Sequence, residues 1–91
     1  MNNLKIFQGH DECIRDLTFS PTDIKFASCS DDSFIKVWDF KTAKNESILR
    51  GHGSDVKCCD WHPFNSIIAS GSKDNYVKLW DAKSNKNVAT L

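Results

Sequence analysis

Histidine, serine and aspartate recur in this chain at a spacing a hydrolase could use. His10, Ser28 and Asp32 form one set, and His52, Ser70 and Asp74 form a second, each member forty-two residues beyond its counterpart. Brought together, such a set could run acyl transfer: the serine hydroxyl attacks, the imidazole takes its proton, and the carboxylate orients the imidazole. A nucleophilic serine needs a lone pair facing substrate, so the chemistry depends on what else each hydroxyl binds. Other chemistry has little to build on. There is no glycine-rich phosphate loop, and His62 stands alone beside Pro63. Cys13, Cys29, Cys58 and Cys59 show neither a Cys-x-x-Cys pair nor a Cys/His spacing suited to zinc, so no metal or cofactor is assigned. The cysteines sit inside apolar runs and read as buried free thiols.

The elements that must position these residues come in two copies. Shifted by forty-two, the chain aligns with itself without a gap from Leu4 onward: Gly9-His10 falls on Gly51-His52, Pro21 on Pro63, Ala27-Ser28 on Ala69-Ser70, and Trp38-Asp39 on Trp80-Asp81. Ile14, Leu17 and Phe19, echoed by Val56, Cys59 and Trp61, alternate with one extra residue, which predicts a strand carrying a β-bulge. Ser20-Pro21-Thr22-Asp23 and His62-Pro63-Phe64-Asn65 predict turns. Second strands follow at Phe26–Cys29 and Ile67–Ser70, then hairpin turns at Asp31-Asp32-Ser33 and Lys73-Asp74-Asn75. These lead into third strands at Ile35–Trp38 and Val77–Trp80. Fourth strands are expected at Ser47–Leu49 and Val88–Leu91, and another strand at Leu4–Phe7.

Self-similarity at this period, opened by Gly-His and closed by Trp-Asp, resembles the WD-repeat family. The resemblance implies an all-β chain: two consecutive four-stranded antiparallel blades of an incomplete β-propeller. Residues 1–8 would be the last strand of a preceding blade, 9–50 the first repeat and 51–91 the second. It also implies a structural hydrogen-bond relay in each blade, His10, Ser28, Asp32 and Trp38 in the first and His52, Ser70, Asp74 and Trp80 in the second. An indole only donates, a hydroxyl accepts and donates, and a carboxylate accepts, so such a chain satisfies each buried group in turn. A serine locked by an indole N–H is a poor nucleophile, and the expectation is a non-enzyme. Partner docking in this family uses the loop before the first strand and the turn between the second and third. Here those positions are Asp11, Glu12, Cys13, Arg15 and Asp31, with Ser54, Asp55, Lys57 and Lys73 in the second repeat.

Twelve basic and twelve acidic residues cancel, giving no electrostatic footprint for nucleic acid. No apolar run approaches the roughly 20 residues of a membrane span. The start of the chain lacks a secretory signal, so the protein reads as intracellular and Asn45-Glu46-Ser47 as a chance glycosylation pattern. The stretches from Phe19 to Phe40 and from Ile48 to Pro63 carry residues outside the generic repeat, including Arg50, Gly53, Asp55, Lys57 and Trp61. There the chain resembles the WD-repeat subunits of the eukaryotic mRNA cleavage and polyadenylation machinery. That resemblance implies a nuclear protein-interaction scaffold, a fragment of a 3′-end processing factor whose partners are other subunits of that complex. RNA contact is expected only of a full-length member, through a basic segment before the first blade together with residues of that blade. The alternative is a ubiquitin-ligase substrate adaptor or another intracellular signalling scaffold. Such adaptors carry arginine two residues after Trp-Asp, where this chain has Lys41 and Lys83. Repeat units bury apolar faces against neighbours, so two alone should join a longer chain or pool blades in a homo-oligomer.

Overall fold

The computed structural model describes residues 9–21 and 24–91. The segment expected as a strand at Leu4–Phe7 lies outside them, as do Thr22 and Asp23 of the first turn. Among the described residues there are eight strands: β1 (Ile14–Phe19), β2 (Lys25–Ser30), β3 (Ile35–Asp39), β4 (Lys44–Leu49), β5 (Val56–Trp61), β6 (Ile67–Ser72), β7 (Val77–Asp81) and β8 (Lys86–Thr90). They form two separate four-stranded sheets in the orders β1-β2-β3-β4 and β5-β6-β7-β8, all neighbours antiparallel. Each strand expected within the described residues is found, with β4 and β8 starting earlier than the apolar residues alone suggest.

Short-range chemistry accounts for the meander. The bulge expected in the first strand of each repeat is there, between Ile14 and Asp16 and between Val56 and Cys58. A second pair of bulges interrupts β3–β4 and β7–β8. The side-chain amide of Asn45 spans the first, donating to the Val37 and Ser47 carbonyls at 3.0 and 2.9 Å, and Asn87 repeats this with Leu79 and Ala89. The β6 entry turn is shaped by Asn65, whose Oδ1 accepts from the Ile67 amide at 3.0 Å. Ser33 and Asn75 take positive φ in the β2–β3 and β6–β7 turns, as do Ala43 and Asn85 in the β3–β4 and β7–β8 turns. Asp39 and Asp81 cap the latter turns by accepting from the Lys41 and Lys83 amides.

The core lies between the sheets. Ala27, Cys29, Ile35, Val37 and Leu49 of the first sheet pack against Val56, Cys59, Trp61 and Ile68 of the second, with β5 seated on β1 and β2. Polar contacts also cross the seam, among them Asp16 Oδ2 accepting from the Cys59 amide at 3.2 Å and Thr18 Oγ1 from the Trp61 amide at 2.9 Å. Cys59 and Cys29 meet here, and that contact and burial both push the Cys59 thiol up. The four cysteines do not share one environment. All are free thiols, but only Cys29 and Cys59 are buried, while Cys13 and Cys58 are exposed. The expectation of four buried thiols is corrected: Cys13 lies on the loop before β1, and the ordinary alternation of side chains along β5 puts Cys58 on the opposite face of its sheet from Cys59.

Repetition also shows which faces are left uncovered. Trp61 is 8% exposed, whereas its counterpart Phe19 is 67% exposed; Leu49 is 0% exposed, whereas Leu91 is 75%. One side of the first sheet and the far side of the second thus present apolar residues of the kind buried at the seam.

Candidate functional site

The β2, β3 and β6, β7 hairpins bring the repeated polar residues together. In the first sheet His10 lies with Nδ1 2.8 Å from Asp32 Oδ2 and Nε2 2.7 Å from Ser28 Oγ, and Trp38 Nε1 donates to Ser28 Oγ at 2.8 Å. In the second sheet the corresponding distances are 2.9 Å for His52–Asp74, 2.7 Å for His52–Ser70 and 2.8 Å for Trp80–Ser70. With the imidazole proton on Nδ1, donation runs one way, from indole to hydroxyl to imidazole to carboxylate. The glycine before each histidine permits this approach. A Cβ on Gly9 would stand 2.8 Å from the Trp38 ring, and one on Gly51 3.0 Å from the Trp80 ring.

Each carboxylate is further held by backbone donors. Asp32 accepts from the Asp11 and Phe34 amides at 3.1 and 3.0 Å, and Asp74 from the Gly53 and Tyr76 amides, both at 2.9 Å. Burial opposes ionisation of Asp32 and Asp74, but these bonds and the paired histidine outweigh it and hold both below the usual carboxylate range. In outline the geometry matches the hydrogen-bond order of a serine hydrolase triad. Two features separate it from one. Ser28 and Ser70 are 1% and 2% exposed, and each hydroxyl is already occupied on both sides.

Two further serines support these sets. Ser30 Oγ donates to the Glu12 carbonyl and accepts from the Asp32 amide; Ser72 Oγ donates to the Asp55 carbonyl and accepts from the Asp74 amide. They tie the loop before each first strand to the turn bearing the aspartate. Sequence reasoning passed over them, although they too repeat at forty-two residues.

The residues expected to face partners share one rim. Two guanidinium N–H groups of Arg15 grip Asp31, with Nε at 2.8 Å. This contact holds the Asp31 carboxyl below its usual range and raises the Arg15 pKa. Lys57 approaches Asp31 at 3.8 Å and Asp55 at 3.6 Å, so the charges alternate across both sheets. The backbone fixes the rest: the Asp31 amide donates to the Cys13 carbonyl at 3.0 Å, and Lys73 to Asp55 at 2.8 Å. Asp11, Glu12, Cys13 and Lys73 are exposed, Ser54 partly so, and Ser54, Asp11 and Glu12 stand outside the ion-pair chain.

The sequence pattern described as "WD domain, G-beta repeat" matches residues 1–39 and 43–81. The chain belongs to the WD-repeat family. Within it, the chain is 47% identical over 46 residues to polyadenylation factor subunit 2 of Cryptococcus neoformans, covering 50% of this chain and 6% of that protein. It is 51% identical over 45 residues to polyadenylation factor subunit 2 of Candida albicans, covering 50% and 8%. Glutamate-rich WD repeat-containing protein 1 of Dictyostelium discoideum is 44% identical over 39 residues, covering 42% and 8%. The matched segment is less than a tenth of the length of each of these WD proteins. Neither four-stranded sheet closes on itself, as befits blades of an incomplete WD propeller.

Proposed function

We propose that this WD-repeat chain is a non-catalytic docking scaffold of the nuclear machinery that cleaves and polyadenylates pre-mRNA, contacting neighbouring protein subunits through its charged rim. The observation that carries this reading is the 45–51% identity to polyadenylation factor subunits over half the chain. The absence of catalysis is supported by the two serines, each buried and bound by a tryptophan N–H. The His–Ser–Asp–Trp sets then hold each blade rigid, and the rim of Arg15, Asp31, Lys57 and Asp55 is presented on a fixed frame. Exposed ion pairs contribute little stability, about 0–1 kcal/mol each, so an alternating rim is better suited to selecting a partner than to holding the fold. Residues 9–50 and 51–91 are the two scaffold repeats, and no base-contacting residue is assigned to either.

The test is affinity capture of the tagged chain from nuclear extract, with immunoblots for polyadenylation-factor subunits and for ubiquitin-ligase subunits. Recovery of the former alone is the expected result. Recovery of ligase subunits alone would make the chain a substrate adaptor and sink the proposal.

A further inference from the structure

The charged rim gathers at one end of the strands, where β1 and β5 begin and β2 ends. At the opposite end, where β1 and β5 finish and β2 and β6 begin, a groove of about 450 Å³ opens between the two blades. Lys25, Glu46 and Ser47 line it from the first blade, and Trp61, Phe64 and Lys83 from the second. The repeat does not prescribe this chemistry. Forty-two residues beyond Lys25, Glu46 and Ser47 stand Ile67, Val88 and Ala89, and forty-two before Phe64 stands Thr22. The ions and the aromatic ring thus belong to this one junction.

What the groove leaves unspent defines its ligand. Lys25 and Glu46 pair at 3.1 Å, and both side chains are partly exposed, so a competing anion can reach the ammonium group. Lys83 is exposed and in no salt bridge among the described residues; the neighbouring Asp81 carboxylate accepts from the Lys83 amide at 2.9 Å. Two ammonium groups therefore stand against one carboxylate. Asn65 also lines the groove, and its Oδ1 is taken by the Ile67 amide, so its Nδ2 is left as a donor without an acceptor among the described residues. Phe64 is 86% exposed, a flat apolar surface beside these charges.

We propose that this groove docks an acidic peptide segment of another protein, pairing its carboxylates with Lys83 and Lys25 and laying an aliphatic side chain on Phe64. A peptide fits better than RNA, the other polyanion. The Glu46 carboxylate on the wall accepts from peptide N–H groups, whereas it repels a phosphodiester backbone, which has no such donor. An excess of one positive charge also suits a few carboxylates more than a chain with one charge per nucleotide. This site is separate from the rim and does not rest on the polyadenylation reading, since the probe is a peptide in buffer.

The test is fluorescence anisotropy of a fluorescein-labelled Gly-Asp-Glu-Leu-Asp-Glu-Gly peptide titrated with the chain, beside its lysine counterpart Gly-Lys-Lys-Leu-Lys-Lys-Gly and labelled oligouridylate. The expected result is saturable binding of the acidic peptide that weakens with salt, and none of the lysine peptide. Lys83→Glu, which turns attraction into repulsion, should weaken binding about tenfold, and Phe64→Ser about threefold. Glu46→Gln, which frees Lys25, should tighten it about threefold. Arg15→Glu, at the rim, should bind as wild type. These side chains are exposed, and circular dichroism checks that each variant is folded. No saturable binding of the acidic peptide overturns the proposal, as do a Lys83→Glu chain that binds like wild type and a loss of binding on Arg15→Glu. Oligouridylate bound more tightly than the peptide, and lost on Lys83→Glu, would make the groove an RNA site and overturn it equally.

Discussion

Ser70 receives the Trp80 indole N–H and stands 2.7 Å from the His52 ring, so its hydroxyl is the joint of the second relay. Replacing it with alanine strands two buried polar groups, and Ser70→Ala is expected to lower stability by about 1–3 kcal/mol, read as the urea midpoint. Trp80→Ala should cost more, about 3–5 kcal/mol, because it also empties a large core site; a serine variant less stable than the tryptophan variant would contradict this ranking. If the serines only hold the fold, a fluorophosphonate probe leaves the folded chain unlabelled at Ser28 and Ser70. The carboxylates give a pH signature. Asp32 and Asp74 are depressed in the folded chain, so the unfolded chain binds more protons in acid. Their contribution is present above the unfolded value of about 4 and is lost as pH falls below it, through the folded values. Thermal melts across this range should show a shallower acid loss for the Asp32→Asn, Asp74→Asn double variant than for wild type, and parallel curves would refute it. The four relay residue types were legible from the family resemblance. Ser30 and Ser72 were not, because a serine in an apolar strand gives no sign of its partner until the turn above it is seen.

At the scale of the elements, most of the fold could be read from the repeat itself, since each strand was supported twice. The first-strand bulges followed from broken alternation at Ile14–Phe19 and Val56–Trp61. The later bulges did not, because Asn45 and Asn87 act through side-chain amides that replace missing ladder bonds, and a lone polar residue between strands reads as an ordinary turn. The seam contacts of Asp16 and Thr18 were also hidden, since their counterparts Cys58 and Asp60 are different residues and the period carries no signal there. One turn holds a testable flaw. Ala43 has φ 58° where its counterpart Asn85 has φ 60°, and the left-handed region penalises alanine more than asparagine. Ala43→Asn should raise stability by about 0.5–1 kcal/mol, seen as a higher melting temperature, and Asn85→Ala should lower it. A drop on Ala43→Asn would mean that the turn is shaped by its neighbours rather than by local preference.

On the scale of the whole molecule, two sheets share one buried seam, and a charged rim crosses that seam where Arg15, Asp31, Lys57 and Asp55 alternate. In the proposed function, stability and recognition are carried by different residues: the relays and the seam hold the frame, and the rim is the surface proposed to meet partners. The claim is tested most directly by quantitative capture of polyadenylation-factor subunits from nuclear extract by three forms of the chain: wild type, Arg15→Glu with Lys57→Glu, and Ser70→Ala. All are assayed at a temperature where circular dichroism shows each one folded. The rim variant should melt close to wild type yet lose capture, while the serine variant should melt lower yet capture as wild type does. A folded serine variant that fails to capture, beside a rim variant that still succeeds, would contradict the assignment of recognition to the rim and of the relays to the frame.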